Sequence, residues 1–129
     1  MDQAIAVTEL IAETPDRGRF AMRVEIGRPY LKAKNPDVWA CPVSVHPIHE
    51  RLADIAGEDS FQALCLASRL VVSLLEGFVR SGGRLLHDDG TAFATEVLGF
   101  AARRKREPRD AAVHSRTARR KRRVSRRKP

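Results

Sequence analysis

Beyond Arg106 the chain has only two large apolar residues, Val113 and Val124, so any core must come from what precedes it. A segment this polar cannot bury enough surface to offset the entropy of ordering it, and it is expected to be disordered when free. Charge divides at nearly the same place. From Arg103 to Pro129 there are 14 Lys and Arg against two acids, Glu107 and Asp110, a net of +12. Met1 to Ala102 holds the other 10 basic residues and 14 acids, a net of −4, and the two parts sum to the +8 of the whole chain. The expected organisation is a small acidic domain over residues 1–102 followed by an Arg/Lys-rich tail over residues 103–129.

Neither export nor membrane insertion is indicated. Met1-Asp2-Gln3 carries no cation ahead of the apolar stretch Ala4 to Ala12, and Glu9 interrupts that stretch, so it does not read as a secretory signal. Phe61 to Val79 is long and apolar, but Arg69 and Glu76 lie within it. Each charge at bilayer depth costs about 2.5–3.5 kcal/mol, which favours a core helix over a span. Two cysteines exclude a disulfide scaffold and suit a reducing compartment, so a cytoplasmic location is expected.

Periodicity places most of the elements. Ile5, Val7 and Ile11 share one parity within Ala4 to Ala12, which predicts a strand. Thr14-Pro15-Asp16-Arg17-Gly18 carries the chemistry of a hairpin loop. Arg19 to Gly27 alternates cleanly, with Phe20, Met22, Val24 and Ile26 on one face and Arg19, Ala21, Arg23 and Glu25 on the other. That is a strand with one wet face. Arg28 to Asp37, punctuated by Pro29 and Asn35-Pro36, reads as a loop. Val38 to His46 alternates again, with Trp39, Cys41, Val43 and Val45 on one face, and Pro42 there requires an edge or a bulge. A fourth, short strand falls near Arg51 to Ala56.

Asp59 at the N-cap with Gln62 at N3 predicts a helix start in capping-box geometry. The helix should run to about Arg80 and stop before Gly82-Gly83. Its polar residues form one narrow stripe, Gln62, Arg69, Ser73, Glu76 and Arg80, and the rest is apolar. Such a helix needs cover on more than one side. Arg84 to His87 reads as a short strand and Asp88-Asp89-Gly90 as a turn. Phe93, Val97 and Phe100 sit at helical spacing, which predicts a shorter second helix from Thr91 to about Lys105. The expected class is α+β: an antiparallel sheet of three or four strands packed on one long helix, with a shorter C-terminal helix and a disordered basic tail.

Three segments occur in order: Ile26-Gly27-Arg28-Pro29, Trp39-Ala40-Cys41-Pro42-Val43, and Asp59-Ser60-Phe61-Gln62-Ala63-Leu64 with Leu66-Ala67. This series resembles a family of small uncharacterised bacterial proteins, a domain of unknown function, that share I-G-x-P, W-x-C-P and D-x-x-Q-A-L. The resemblance covers about residues 20 to 80. It implies an α+β domain of bacterial origin and no particular activity, and the basic tail departs from the pattern.

Candidate chemistry is sparse. Cys41, His46 and His49 offer zinc-type donors, but no Cys-x2-Cys pair occurs, and alternation sends Cys41 and His46 to opposite faces. Cys41 and Cys65 fall on apolar faces, where a free thiol packs as a small hydrophobe. Asp59 and Gln62 are explained by the cap, and Trp39 by core packing. No phosphate-binding glycine loop, nucleophile elbow or metalloprotease motif is present, so a non-catalytic protein without cofactor, metal or small-molecule substrate is expected. The tail is the one functional pointer. Arg103-Arg104-Lys105-Arg106, Arg119-Arg120-Lys121-Arg122-Arg123 and Arg126-Arg127-Lys128 form three basic clusters. Arginine grips phosphate as a permanent, bidentate fork. A polycation near polyphosphate releases counterions and binds without reading sequence. With no aromatic residue in the tail, backbone contact to DNA or RNA is expected rather than base stacking. The wide apolar arc of the helix supplies the alternative, a homodimer or another protein partner.

Overall fold

The architecture is that of a computed structural model, which describes residues 4–99. Of these, the residues up to Thr95 belong to one compact unit and residues 96–99 lie outside it. The elements run β1 (Ala4–Thr14), β2 (Gly18–Gly27), β3 (Tyr30–Lys32), β4 (Asn35–Cys41), β5 (Val43–His46), β6 (Ile55–Gly57), α1 (Ser60–Arg80) and β7 (Arg84–Leu86). The α+β class is as expected. The strands form two antiparallel sheets, a four-stranded one in the order β5-β2-β1-β7 and a three-stranded one in the order β3-β4-β6.

β1 and β2 pair along almost their whole length, from Thr14↔Gly18 at the turn to Ala4↔Gly27. Gly18 closes the turn at φ 69, a conformation that a Cβ would disfavour. The alternation of β2 is realised: Met22 and Val24 are buried, while Arg19, Ala21 and Arg23 are exposed. Leu10 and Ala12 of β1, Val43 and Val45 of β5 and Leu85 of β7 complete the apolar layer.

Three expectations need correction. Arg28 to Asp37 is not a plain loop; it contains β3 and the start of β4. Pro36 is tolerated within β4 because β6 pairs only with Trp39 to Cys41, so at Pro36 no second neighbour requires the missing N–H. Val38 to His46 is not one strand. Pro42 divides it, and its two halves belong to different sheets. Thr91 to Gly99 contains no α-helix. Ala92 forms a bridge to Leu86, the Phe93 N–H donates to the Leu85 carbonyl at 2.9 Å, and Thr95–Leu98 is a single 3-10 turn. Three apolar residues at helical spacing were too few to exclude an extended return. The remainder of that expected helix, and the tail, lie outside the described residues.

The helix begins and ends as its sequence dictates. Asp59 is extended, with φ −146, and accepts the Gln62 N–H on Oδ1 at 2.7 Å. The Gln62 side chain returns to accept the Glu58 N–H at 2.6 Å, one residue earlier than in the usual capping box. At the other end Gly83 N–H donates to Phe78 O at 3.0 Å and Gly82 N–H to Val79 O at 3.1 Å, with Gly82 at φ 108. This is the Schellman pattern, which satisfies the last carbonyls.

α1 contacts both sheets. Its buried residues are Ala63, Ala67, Val71, Val72 and Leu75. The small pair, Ala63 and Ala67, lies in the N-terminal half, where the helix runs closest to β6. A Cβ on Gly57 would sit 2.5 Å from the Ala63 nitrogen, so only glycine fits there. At the C-terminal half Phe78 meets Phe20 edge-on with ring centroids 6.4 Å apart, and the same ring lies over Gly83. By length and composition alone α1 could cross a membrane, with a mean hydropathy of 1.5 in its most apolar window. Within this fold it is the helix that both sheets pack against.

The close approach at Gly57 leads to a stability prediction. Gly57→Ala forces backbone to move at Ala63, and urea unfolding is expected to show a loss of about 1–3 kcal/mol. A loss no larger than that of an exposed-site alanine would show that the approach is not tight.

Candidate functional site

The residues of the I-G-x-P, W-x-C-P and D-x-x-Q-A-L segments converge in space. The Gly27 N–H at the end of β2 donates to the Pro42 carbonyl at 2.8 Å. The Cys41 thiol points at the Gly27 carbonyl with 3.5 Å between heavy atoms. Trp39 pairs in register with Leu31 on one side and Gly57 on the other. Gly57 in turn abuts Ala63, four residues after the Asp59 cap. The three segments therefore meet where β2, the β4–β5 switch and the start of α1 come together.

That meeting point is built for packing. Cys41 is fully buried, and burial, with the nearby Asp54 carboxylate as the lesser cause, pushes its thiol pKa up. A nucleophilic thiol needs the opposite shift. Trp39 is half-buried, and Cys65, on α1, is half-buried and unpaired. Asp59 and Gln62 are occupied as the cap.

The histidines lie elsewhere. His46 ends β5, exposed, with its Nδ1 3.5 Å from Glu50. His49 exchanges backbone hydrogen bonds with Val45 at 2.7 and 3.2 Å. Cys41 belongs to the other sheet. Among the described residues no group of three or more His, Cys, Asp or Glu side chains could hold a metal ion. Asp89 accepts both the N–H and the hydroxyl of Thr91, at 2.9 and 2.7 Å, and these bonds hold its carboxyl below the usual range. It is a turn residue rather than half of an acid–base pair.

The outer face of the four-stranded sheet forms an open depression of about 580 Å³ floored by Ile11 and Ala21 and rimmed by Glu9, Arg23, His46 and His87. Its Glu9 and Arg23 are already matched. Arg23 bonds Glu9 and Glu25, while Glu13 takes Arg84 at 2.8 Å and Arg19 at 3.6 Å.

One feature was missed by reading the sequence as loop. Arg28, just before the β3–β4 hairpin, and Lys32 and Lys34 within it are exposed, and none has an acidic partner among the described residues. Tyr30 stands between them, 41% exposed, and its hydroxyl donates to the Asp54 carboxylate. That hydrogen bond raises the phenol's pKa. The available signal was the acid-free stretch between Glu25 and Asp37, which carries three cations.

The tail residues Arg103, Arg104, Lys105, Arg106, Arg119, Arg120, Lys121, Arg122, Arg123, Arg126, Arg127 and Lys128 lie outside the described residues. Comparisons with protein-family models, with curated proteins and with solved structures find no match. The fold and site define a small α+β protein of two antiparallel sheets on one helix, and its function rests on the chemistry of its own residues.

The buried thiol has a measurable consequence. A thiol with a raised pKa keeps its proton in the native state after the unfolded chain has lost it. The native state then binds more protons, so stability falls as pH rises above the ordinary thiol value of about 8.5. The unsubstituted chain should lose stability over that range more steeply than Cys41→Ala, as read by urea unfolding at several pH values. Equal slopes would mean that the Cys41 thiol is not shielded.

Proposed function

We propose that this is a non-catalytic, cytoplasmic protein that associates with nucleic acid through its basic C-terminal segment, without reading sequence. The observation that carries the proposal is the net +12 between Arg103 and Pro129, attached to a segment of net −4. Arginine-rich clusters favour phosphate oxygens, and the release of condensed counterions drives the association. The absence of aromatic residues from the tail supports backbone contact over base readout. The buried thiol at Cys41 and the structural use of Asp59 and Gln62 support a non-catalytic reading, since they leave the residues of the shared segments occupied by packing and capping. The two free cysteines suit a reducing compartment.

Binding by the full chain is expected to weaken steeply with salt, with log affinity falling by about 0.7 to 0.9 for each phosphate contact per unit of log salt. A chain ending at Ala102 should lose most of its affinity for both DNA and RNA. Equal binding by the two chains, or none by either, would remove the proposal.

A second reading, a self-associating module, rests on the exposed apolar residues of α1. Phe61, Leu66 and Val79 are 72%, 41% and 44% exposed. Large apolar residues left open along one helix favour a covering partner, and a second copy is the simplest one. Light scattering on the full chain should give twice the mass of one chain, reduced towards one by Phe61→Ser with Leu66→Ser. A monomeric mass at every concentration would exclude self-association.

A further inference from the structure

The cations of the described residues fall into two sets. Arg19, Arg23 and Arg84 each lie against a glutamate, and Arg17 stacks over the Phe20 ring at 4.2 Å. Arg28, Lys32 and Lys34 are not paired, and they lie close together on one hairpin. The remaining unpaired ones, Arg51, Arg69 and Arg80, are scattered along the chain. Local pairing therefore leaves Arg28, Lys32 and Lys34 unmatched, with Asp37 on β4 and Asp54 at the Tyr30 hydroxyl as the carboxylates of the same region.

That site has more than charge. β3 is an edge strand, so the hairpin has a free side. Tyr30 and Lys32 are the first and last residues of β3, with a register irregularity between Leu31 and Lys32, while Arg28 precedes the strand and Lys34 sits at the turn before Asn35. The Tyr30 hydroxyl is held by Asp54, which fixes the ring while leaving much of it open. A fixed, open aromatic ring among cations matches the two chemical features of an unpaired nucleotide, a phosphate and a π-face. In a duplex the base faces are covered by their neighbours. An acidic peptide would use the cations but would leave the ring without a role.

We propose that the β3–β4 hairpin is a second nucleic-acid contact, with Arg28, Lys32 and Lys34 on the phosphate backbone of a single strand and Tyr30 stacked on one base. This rests on the nucleic-acid reading of the tail and extends it. The tail supplies charge without stacking, and the hairpin supplies the stacking group.

The test uses the full chain, a labelled single-stranded oligothymidylate and a duplex of the same length, with anisotropy titrations over a range of salt. The triple variant Arg28→Gln, Lys32→Gln, Lys34→Gln should make the log–log salt slope shallower by about 2, from three contacts at about 0.7 each. Tyr30→Ala should weaken single-strand binding about tenfold. Tyr30→Phe, which keeps the ring, should retain it, and duplex binding should not respond to either change at Tyr30. Arg51→Gln with Arg69→Gln serves as the charge control and should leave the slope within half of the triple's change. If the triple variant does not fold, as judged by circular dichroism, the pair Lys32→Gln and Lys34→Gln at the exposed turn replaces it, with an expected change of about 1.4.

An unchanged slope overturns the hairpin contact, and it would assign the lysines to keeping a sheet edge from pairing with other chains. Hairpin-dependent binding of polyglutamate as tight as that of the oligonucleotide overturns it in favour of an acidic protein partner. Should the chain ending at Ala102 lose binding while the hairpin variants match the unsubstituted chain, the hairpin contact falls and the tail reading stands. Should the full chain bind no nucleic acid, both fall.

Discussion

The chain passes between its two sheets four times, and the first two passages, at Arg28-Pro29 after β2 and at Pro42 after β4, are tied to each other by the Gly27 N–H on the Pro42 carbonyl. Everything else in the fold depends on that tie. Pro42 has no N–H to continue a ladder, so the strand must break there. Its carbonyl remains, and Gly27 takes it. The Cys41 thiol fills the space beside this bond and points at the Gly27 carbonyl. One backbone bond and one small buried side chain thus fix where one sheet ends and the other begins.

With the sheets placed, the helix has little freedom. Its first turn is capped by Asp59 and pressed against Gly57 through Ala63, and its last turn is set by Phe78 over Gly83 and against Phe20. The two glycines act in the same way at opposite ends: each lacks a Cβ where another group must pass. Small residues at one end and an aromatic pair at the other let one helix lie against two sheets at once. The same arrangement turns the polar stripe of α1 outward and leaves Phe61, Leu66 and Val79 exposed on its flanks.

How far the sequence could be read follows from how local each signal is. The β2 alternation was clear because one of its faces is wet and the other buried, so every residue carries information. The helix start was clear because a cap needs only residues three apart, here Asp59 and Gln62. The Val38 to His46 run kept its alternation through Pro42, so parity alone could not reveal that Cys41 and Val43 stand in different sheets. β3 and β4 were hidden by prolines that are harmless where a strand has only one neighbour. The candidate site was partly legible for the same reason. The three basic clusters of the tail are a composition signal and need no fold. The hairpin cations Arg28, Lys32 and Lys34 matter only once their neighbours are known to be paired elsewhere, and that pairing is tertiary.

Charge pairing is therefore the link between fold and function. On the four-stranded sheet, glutamates from β1 and β2 meet arginines from β2 and β7 across strands, as Glu13 does with Arg19 and Arg84. Such exposed pairs contribute little stability individually. Their larger effect is on the field that the protein presents, because paired charges cancel at short range and are screened within about 10 Å at moderate salt. That cancellation reaches Glu9, Glu13 and Glu25 on the four-stranded sheet, whereas the stretch between Glu25 and Asp37 carries three cations with no carboxylate among them. A net charge of −4 would by itself repel phosphate. The arrangement of those charges, rather than their sum, decides what field each part of the folded segment presents.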